Sequence, residues 1–311
     1  MPRRAPIPPE LAGNPFSIAD ALRVGLSKSR LRGDDLARPF HGVRATELDS
    51  DSILDLCRAF EPALLSGQVF SHVTALSLLG APLPRESEGR LHVSVLFPRT
   101  PPRGNGIHGH SLRRLPTHLV LGLPVSDSAA AWCQSAALLR REDLVAVGDF
   151  LVTGNRRDGI RESGLTSIES LARATTENRG SPGAGRMAWA LPRIRSGVDS
   201  RPETLLRLEL IRRGLRNLVT DHPIEVEGGL TLHADLAFVV ERIAIEYEGD
   251  AHRVDPVRWA RDIRRYELME NAGWRVVRVT AQDLFVEPDL LEVRIRTVLS
   301  SRRAEMRSQP R

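Results

Sequence analysis

Residues 231–248 read TLHADLAFVVERIAIEYE, and the placement of three carboxylates in this run decides how the chain is read. A strand turns successive side chains to opposite faces. In IAIEYE (243–248), Ile243, Ile245 and Tyr247 therefore face one side, and Glu246 and Glu248 the other. In the preceding run Asp235 interrupts an apolar stretch and shares a face with Ala237 and Val239. The connection through Glu241 and Arg242 is short enough for a hairpin, which brings Asp235 close to the glutamates. Two unit charges ~4 Å apart cost on the order of 4 kcal/mol at an effective dielectric of about 20. Such a cluster must bind protons or a cation. Oxygen-only ligands favour Mg²⁺ or Mn²⁺ over Zn²⁺.

The flanking sequence is equally orderly. Ser200 with Glu203 three residues on forms a capping box that opens a helix over PETLLRLELIRRG, closed by Gly214. Strand candidates follow in PIEVEGG, LHADLAFVV and IAIEYE. Asp255 and Pro256 then start a helix that ends at Gly273, WRVVRV forms a strand, and a last helix covers about 289–303. The order is helix, three strands, helix, strand, helix, an α/β arrangement in a chain that is α+β overall. His252, four residues past Glu248, is placed to act as general base or acid. Asp262 and Arg265 lie three apart with Arg258 one turn earlier, so they share a helix face on which an arginine can grip a phosphate. A solvated, salt-bridged surface explains these helix charges equally well, and the capping box alone explains Glu203.

Toward the N-terminus the organisation loosens. SIADALRVGLSKSRLRGDDL reads as a helix from Ser17, a break at Gly25 and a second helix capped by Ser27 that carries Lys28, Arg30 and Arg32. Either a DNA-binding helix-turn-helix or a structural helical hairpin fits. Residues 50–155 mix helices (ILDLCRAFEPALL, SHVTALSLLGAPLP, AAAWCQSAALL, REDLVAVGDFLV) with strands (LHVSVLF, GIHGHSLRR, THLVLGL). His108 and His110 lie two apart, a spacing that can ligate a metal, but with no cysteine or acidic partner nearby an exposed strand or loop is the expectation there. Residues 156–197 read as a helical connector with a short helix around 187–191.

Composition sets limits on function. No stretch approaches the ~18 apolar residues of a membrane helix, and MPRRAPIPPEL lacks the apolar run of a secretory signal. Cys57 and Cys133 have no partner spacing and suit buried packing in a reducing cytoplasm. Lys28 is the only lysine among 44 basic residues, so basic surface here means guanidinium, which pairs bidentately with phosphate. A high-GC genome accounts for that bias, and the net charge of +5 is too small to prove nucleic-acid binding.

ADLAF (234–238), IEYEGDAH (245–252), RDIRRYELMENAGWRVVRVT (261–280) and SRPETLLRLEL (200–210) together resemble the Vsr-like branch of the PD-(D/E)XK nucleases. These are relatives of the very-short-patch-repair endonucleases. The resemblance covers residues 198–303 and implies a restriction-endonuclease-like αβββαβ core with Asp235 and Glu246 as metal ligands. Glu203, Glu248, His252, Asp262 and Arg265 match further polar positions of that family. One departure is plain: the position that usually holds a lysine is Glu248, and the domain has no lysine at all. His252 or an arginine must do that work, or the core binds without cutting.

The front half is similar, more loosely, to the AbiEi-type antitoxin arrangement. SIADALRVGLSKSRLRGDDLARPFHGVRA looks like its winged helix-turn-helix (14–49), and SHVTALSLLGAPLP with GLPVSDSAAAW like its companion mixed α/β domain (50–155). The expectation is a cytoplasmic, Mg²⁺-dependent DNA endonuclease with DNA as partner, contacted by Lys28, Arg30, Arg32 and Arg258. The alternative is an AbiEi-like DNA-binding regulator with a degenerate nuclease-like domain. A homodimer is compatible with both; a toxin partner is compatible with the resemblance and is not shown by one chain.

Overall fold

A computed structural model describes residues 5–84, 89–157, 160–249 and 256–308; within it, only the backbone is described for 155–157 and 256–261. The chain forms two compact units, 1–147 with 166–192, and 148–165 with 193–311. The architecture is mixed α/β, with mixed sheets.

In the first unit β1 (Phe16–Ser17) pairs antiparallel with β2 (Val43–Arg44), and α1 (Ile18–Arg23) lies between them in sequence. Ser17 caps α1 by accepting the Asp20 N–H. Ala21, Leu26 and Leu31 pack with Leu11, Phe16 and Leu36 in a small core. The second helix expected from Ser27 is instead a single 3-10 turn, Arg30–Arg32. Gly33 follows with a non-helical conformation, so no further helical turn forms.

Next come α2 (Ile53–Phe60), β3 (Gln68–Phe70), α3 (His72–Leu78), β4 (Leu91–Leu96), β5 (Ile107–Leu112), β6 (Thr117–Val120), β7 (Leu123–Ser126) and α4 (Ser128–Ser135). The strands form one mixed sheet in the order β5-β4-β3-β7-β6. Trp132 is fully buried, and its indole N–H donates to the Leu144 carbonyl at 2.8 Å. Cys57 and Cys133 are buried and unpaired, as expected.

The connector has more structure than its composition suggests. After α5 (Arg141–Val152), β8 (Thr153–Arg157) and β9 (Ile160–Ser163) form a hairpin belonging to the second unit. Helices α6 (Ile168–Glu177) and α7 (Ala184–Ala190) return to the first unit. The α6 start is legible in retrospect: Ser167 accepts the Ser170 N–H as an N-cap.

The second unit then follows the expected order. It runs α8 (Arg201–Arg212), β10 (Val219–Glu225), β11 (Thr231–Phe238), β12 (Ile243–Glu248), α9 (Pro256–Asn271), β13 (Arg275–Thr280), a short α10 (Ala281–Phe285) and α11 (Pro288–Ser308). The sheet order is β10-β11-β12-β13, antiparallel except for the β12–β13 pair. On one face Leu236, Phe238, Ile243, Ile245, Val277 and Val279 pack against Leu206 and Leu210 of α8 and Leu291, Ile295 and Leu299 of α11. On the other, Ala237 and Ala244 meet Met269 of α9. Burying each Leu or Ile side chain stabilises by about 1.5–3 kcal/mol, so this apolar stripe fixes the register. A one-residue slip would turn the carboxylates into the core. Below α8, the fully buried Asp149 carboxylate receives Arg207 at 2.6 Å, the Thr204 hydroxyl at 2.7 Å and the Arg195 N–H at 2.7 Å.

Candidate metal and nucleic-acid site

The site begins where the β11–β12 pairing ends. The register Phe238↔Ile243, Ala237↔Ala244, Leu236↔Ile245 puts Asp235 opposite Glu246 at the next step. Side chains there take over the backbone hydrogen bonds. The Tyr247 N–H donates to the Asp235 carboxylate at 2.8 Å, and the Asp235 N–H donates to Glu246 Oε1 at 3.4 Å. Tyr247 itself packs against the opposite, apolar face, as period-two alternation requires. Glu246 is 2% exposed, and Asp235 is partly buried.

Glu203 stands beside them at the start of α8, also buried. Its carboxylate accepts the Ser200 hydroxyl at 2.7 Å and the Asp199 N–H at 3.0 Å, so both oxygens serve the helix N-terminus. Burial, then the nearby Asp235 charge, pushes the Glu203 and Glu246 carboxyls well above the ordinary carboxylate range. Burial also raises Asp235, against the pull of the Tyr247 N–H and Arg265. These groups resist ionisation unless positive charge is supplied.

Arg265 of α9 supplies one such charge. Its guanidinium is ion-paired with Glu246 and donates to the His233 carbonyl. Glu248 points to the same cleft but pairs with Arg278 of β13 at 3.3 Å. Asp262 lines this cleft of about 1580 Å³, as do Arg278, Arg294, Thr280 and Asp283. His252 and the side chain of Arg258 lie outside the described residues. Among the described residues, Asp235, Glu246, Glu203, Glu248, Asp262 and Arg265 thus border one cleft.

Some contributors escaped the sequence reading. Arg278 follows from the parallel register Glu246↔Arg278, which no local pattern announces. Arg161 of β9 contacts Asp199 at 2.7 Å and Asp221 at 3.2 Å, anchoring the strip next to Glu203. Its segment reads as connector, and its partners lie 38 and 60 residues away.

At the N-terminus the three basic candidates separate. Arg30 is tied into the fold: it pairs with Asp35 at 2.7 Å, donates to the Ala5 carbonyl at 2.6 Å, and its side chain is 8% exposed. Lys28 and Arg32 are exposed. Among the described residues, no helix is long and apolar enough to cross a membrane.

No family model matches the chain. Two uncharacterized proteins of Mycobacterium tuberculosis, from strains CDC 1551 / Oshkosh and ATCC 25618 / H37Rv, are similar to it. Each is 26% identical over 274 residues, covering 86% of this chain and 93% of its own length.

Proposed function

We propose that residues 198–303 form a DNA endonuclease domain of the Vsr-like PD-(D/E)XK kind, dependent on Mg²⁺ or Mn²⁺ and brought to DNA by the N-terminal segment 14–49. The observation that carries the reading is the meeting of Asp235 and Glu246 where the β11–β12 hydrogen bonding gives way to side-chain contacts. Two adjacent carboxylates, one buried and one partly buried, with raised proton affinity and only oxygen donors to offer, fit a hard divalent cation. Such a cation would lower the pKa of water and offset charge on the phosphate under attack. Asp235 and Glu246 would hold it, with the Tyr247 N–H fixing the Asp235 carboxylate. Glu248 takes the place where the family usually keeps a lysine, and Arg278 beside it brings the positive charge. Arg278 and Arg294, on the cleft wall, suit a polyanionic backbone.

The test is incubation of purified protein with supercoiled plasmid and Mg²⁺ or Mn²⁺, expecting nicked or linear product. Asp235→Asn and Glu246→Gln should abolish product while preserving the folded spectrum. A second reading, a DNA-binding regulator with a degenerate core, is favoured by Arg265, which already neutralises Glu246. It predicts salt-sensitive DNA binding with plasmid untouched in both metals.

A further inference from the structure

Histidines are concentrated at one place in the first unit, far from the carboxylates in sequence. On β4, Leu91, Val93 and Val95 turn to one face, and His92 and Ser94 to the other. Parallel pairing with β5 sets His108 beside His92 and His110 beside Ser94, on that same face. His72, at the first turn of α3, closes over them. Its ring stacks on His110 with centroids 3.7 Å apart and lies 5.4 Å from His92. His72 and His92 are buried, His110 is partly buried, and exposed His108 stacks on His92 and His110 at 5.0 and 4.7 Å.

We propose that His72, His92 and His110 form a three-imidazole site for a first-row transition dication, with Zn²⁺ its natural occupant. One ring nitrogen from each lies within 4.8 Å of the others, the single set of three such donors among the described residues. His92 Nδ1 and His110 Nε2 are 2.9 Å apart, already near the spacing of two ligands on one ion. A tetrahedral site with Zn–N of about 2.0–2.1 Å sets its ligand atoms roughly 3.3 Å apart, so the His92–His110 pair opens slightly and the His72 nitrogen adjusts within the 4.8 Å set. An all-imidazole donor set discriminates against Mg²⁺ and Ca²⁺, which take oxygen.

The surroundings are those of a built site. His72 Nδ1 is hydrogen-bonded to Ser71 Oγ at 2.9 Å, and Ser94 Oγ donates to Ser71 at 2.6 Å. That chain fixes the ring and leaves Nε2 as the ligand atom when Nδ1 carries the proton, as outer partners do in metal sites. The His72 N–H is taken by Gln134 at 3.1 Å, and the His92 N–H by Thr74 at 2.8 Å. His72 adopts φ +53°, a left-handed conformation that a non-glycine residue keeps only where its surroundings impose it. Burial first, then the neighbouring imidazoles, holds His92 and His110 neutral down to about 4 and His72 lower still. Neutral imidazole is the ligand form, and the proton shared between His92 Nδ1 and His110 Nε2 moves to the other nitrogen of its ring when both face the ion. Three protein ligands leave a fourth position, the arrangement of zinc sites that admit water or substrate.

The test uses the untagged full-length chain, stripped by a chelator and titrated with Zn²⁺ against a chromophoric competitor. One equivalent should bind, and Co²⁺ in its place should give the visible absorption of a tetrahedral site. His110→Asn, chosen because that side chain is partly exposed and its loss tolerable, should weaken binding by on the order of 100-fold; Ser71→Ala should weaken it by roughly 10-fold. Asp235→Asn with Glu246→Gln should leave the equivalent in place, separating it from the carboxylates. Thermal unfolding of each metal-free variant confirms that it is folded. Failure to bind one equivalent, or its full retention in folded His110→Asn and His92→Gln variants, overturns the proposal.

Discussion

The Arg265 guanidinium forms an ion pair with the Glu246 carboxylate, and its second amino group holds the His233 carbonyl one strand away. This cross-link ties α9 to β11 and β12 at the point where the sheet pairing ends. It also places a fixed positive charge where a divalent ion is proposed to sit, so metal and arginine compete for one carboxylate. Arg265→Ala should therefore destabilise the metal-free protein, leaving Glu246 buried without its charged partner. Breaking a buried pair costs roughly 3–5 kcal/mol; with Arg265 29% exposed, about 3 kcal/mol is expected. Urea unfolding in EDTA measures this. Adding Mn²⁺ should narrow the deficit in the variant more than it stabilises the wild type. An equal metal effect in both would place the ion away from Glu246.

The raised carboxyls make stability depend on pH in a definite direction. Glu203 and Glu246 move from 4.5 to about 8, and Asp235 from 3.8 to about 6. The folded state then binds protons that the unfolded chain has released. Unfolding free energy must fall as pH rises from about 4.5 toward about 8. Their contribution is complete at the acid end of that window and lost at the other. A metal ion binds the ionised carboxylates, so stabilisation by Mn²⁺ should grow with pH over the same window. Denaturant titrations across it, with and without metal, check both signs. Glu246→Gln should flatten both curves; a metal-free profile that rises with pH contradicts the argument.

How far the sequence carried this reading depends on the range of the interactions. IAIEYE and ADLAF announce their faces because alternation is local, and the core packing on α8 and α11 enforces it. Gly214 and Ser200 mark the ends of α8 for the same reason. The Arg265–Glu246 pair was not legible. A helix face bearing Asp262 and Arg265 reads equally as solvated, and only α9's seating on the sheet settles where the guanidinium goes. The histidine cluster was missed for a related cause. His108 and His110 lack local partners, whereas His72 and His92 arrive through a helix start and a neighbouring strand. The second N-terminal helix failed because Gly33 ends a single 3-10 turn that periodicity alone extends.

That failed helix changes which basic residues can reach DNA. Arg30 spends its guanidinium on Asp35 and the Ala5 carbonyl, whereas Lys28 and Arg32 are exposed on either side of it. If this segment binds the phosphate backbone, Lys28→Ala and Arg32→Ala should each weaken binding at moderate salt. Each should also lower the slope of log affinity against log salt by about 1. Arg30→Ala should act through the fold: it removes a tether between residue 5 and the turn, costing on the order of 1 kcal/mol. Fluorescence anisotropy with a labelled duplex at several salt concentrations, paired with thermal unfolding of each variant, separates the two effects. Unchanged slopes for Lys28→Ala and Arg32→Ala would move the DNA contact out of residues 14–49.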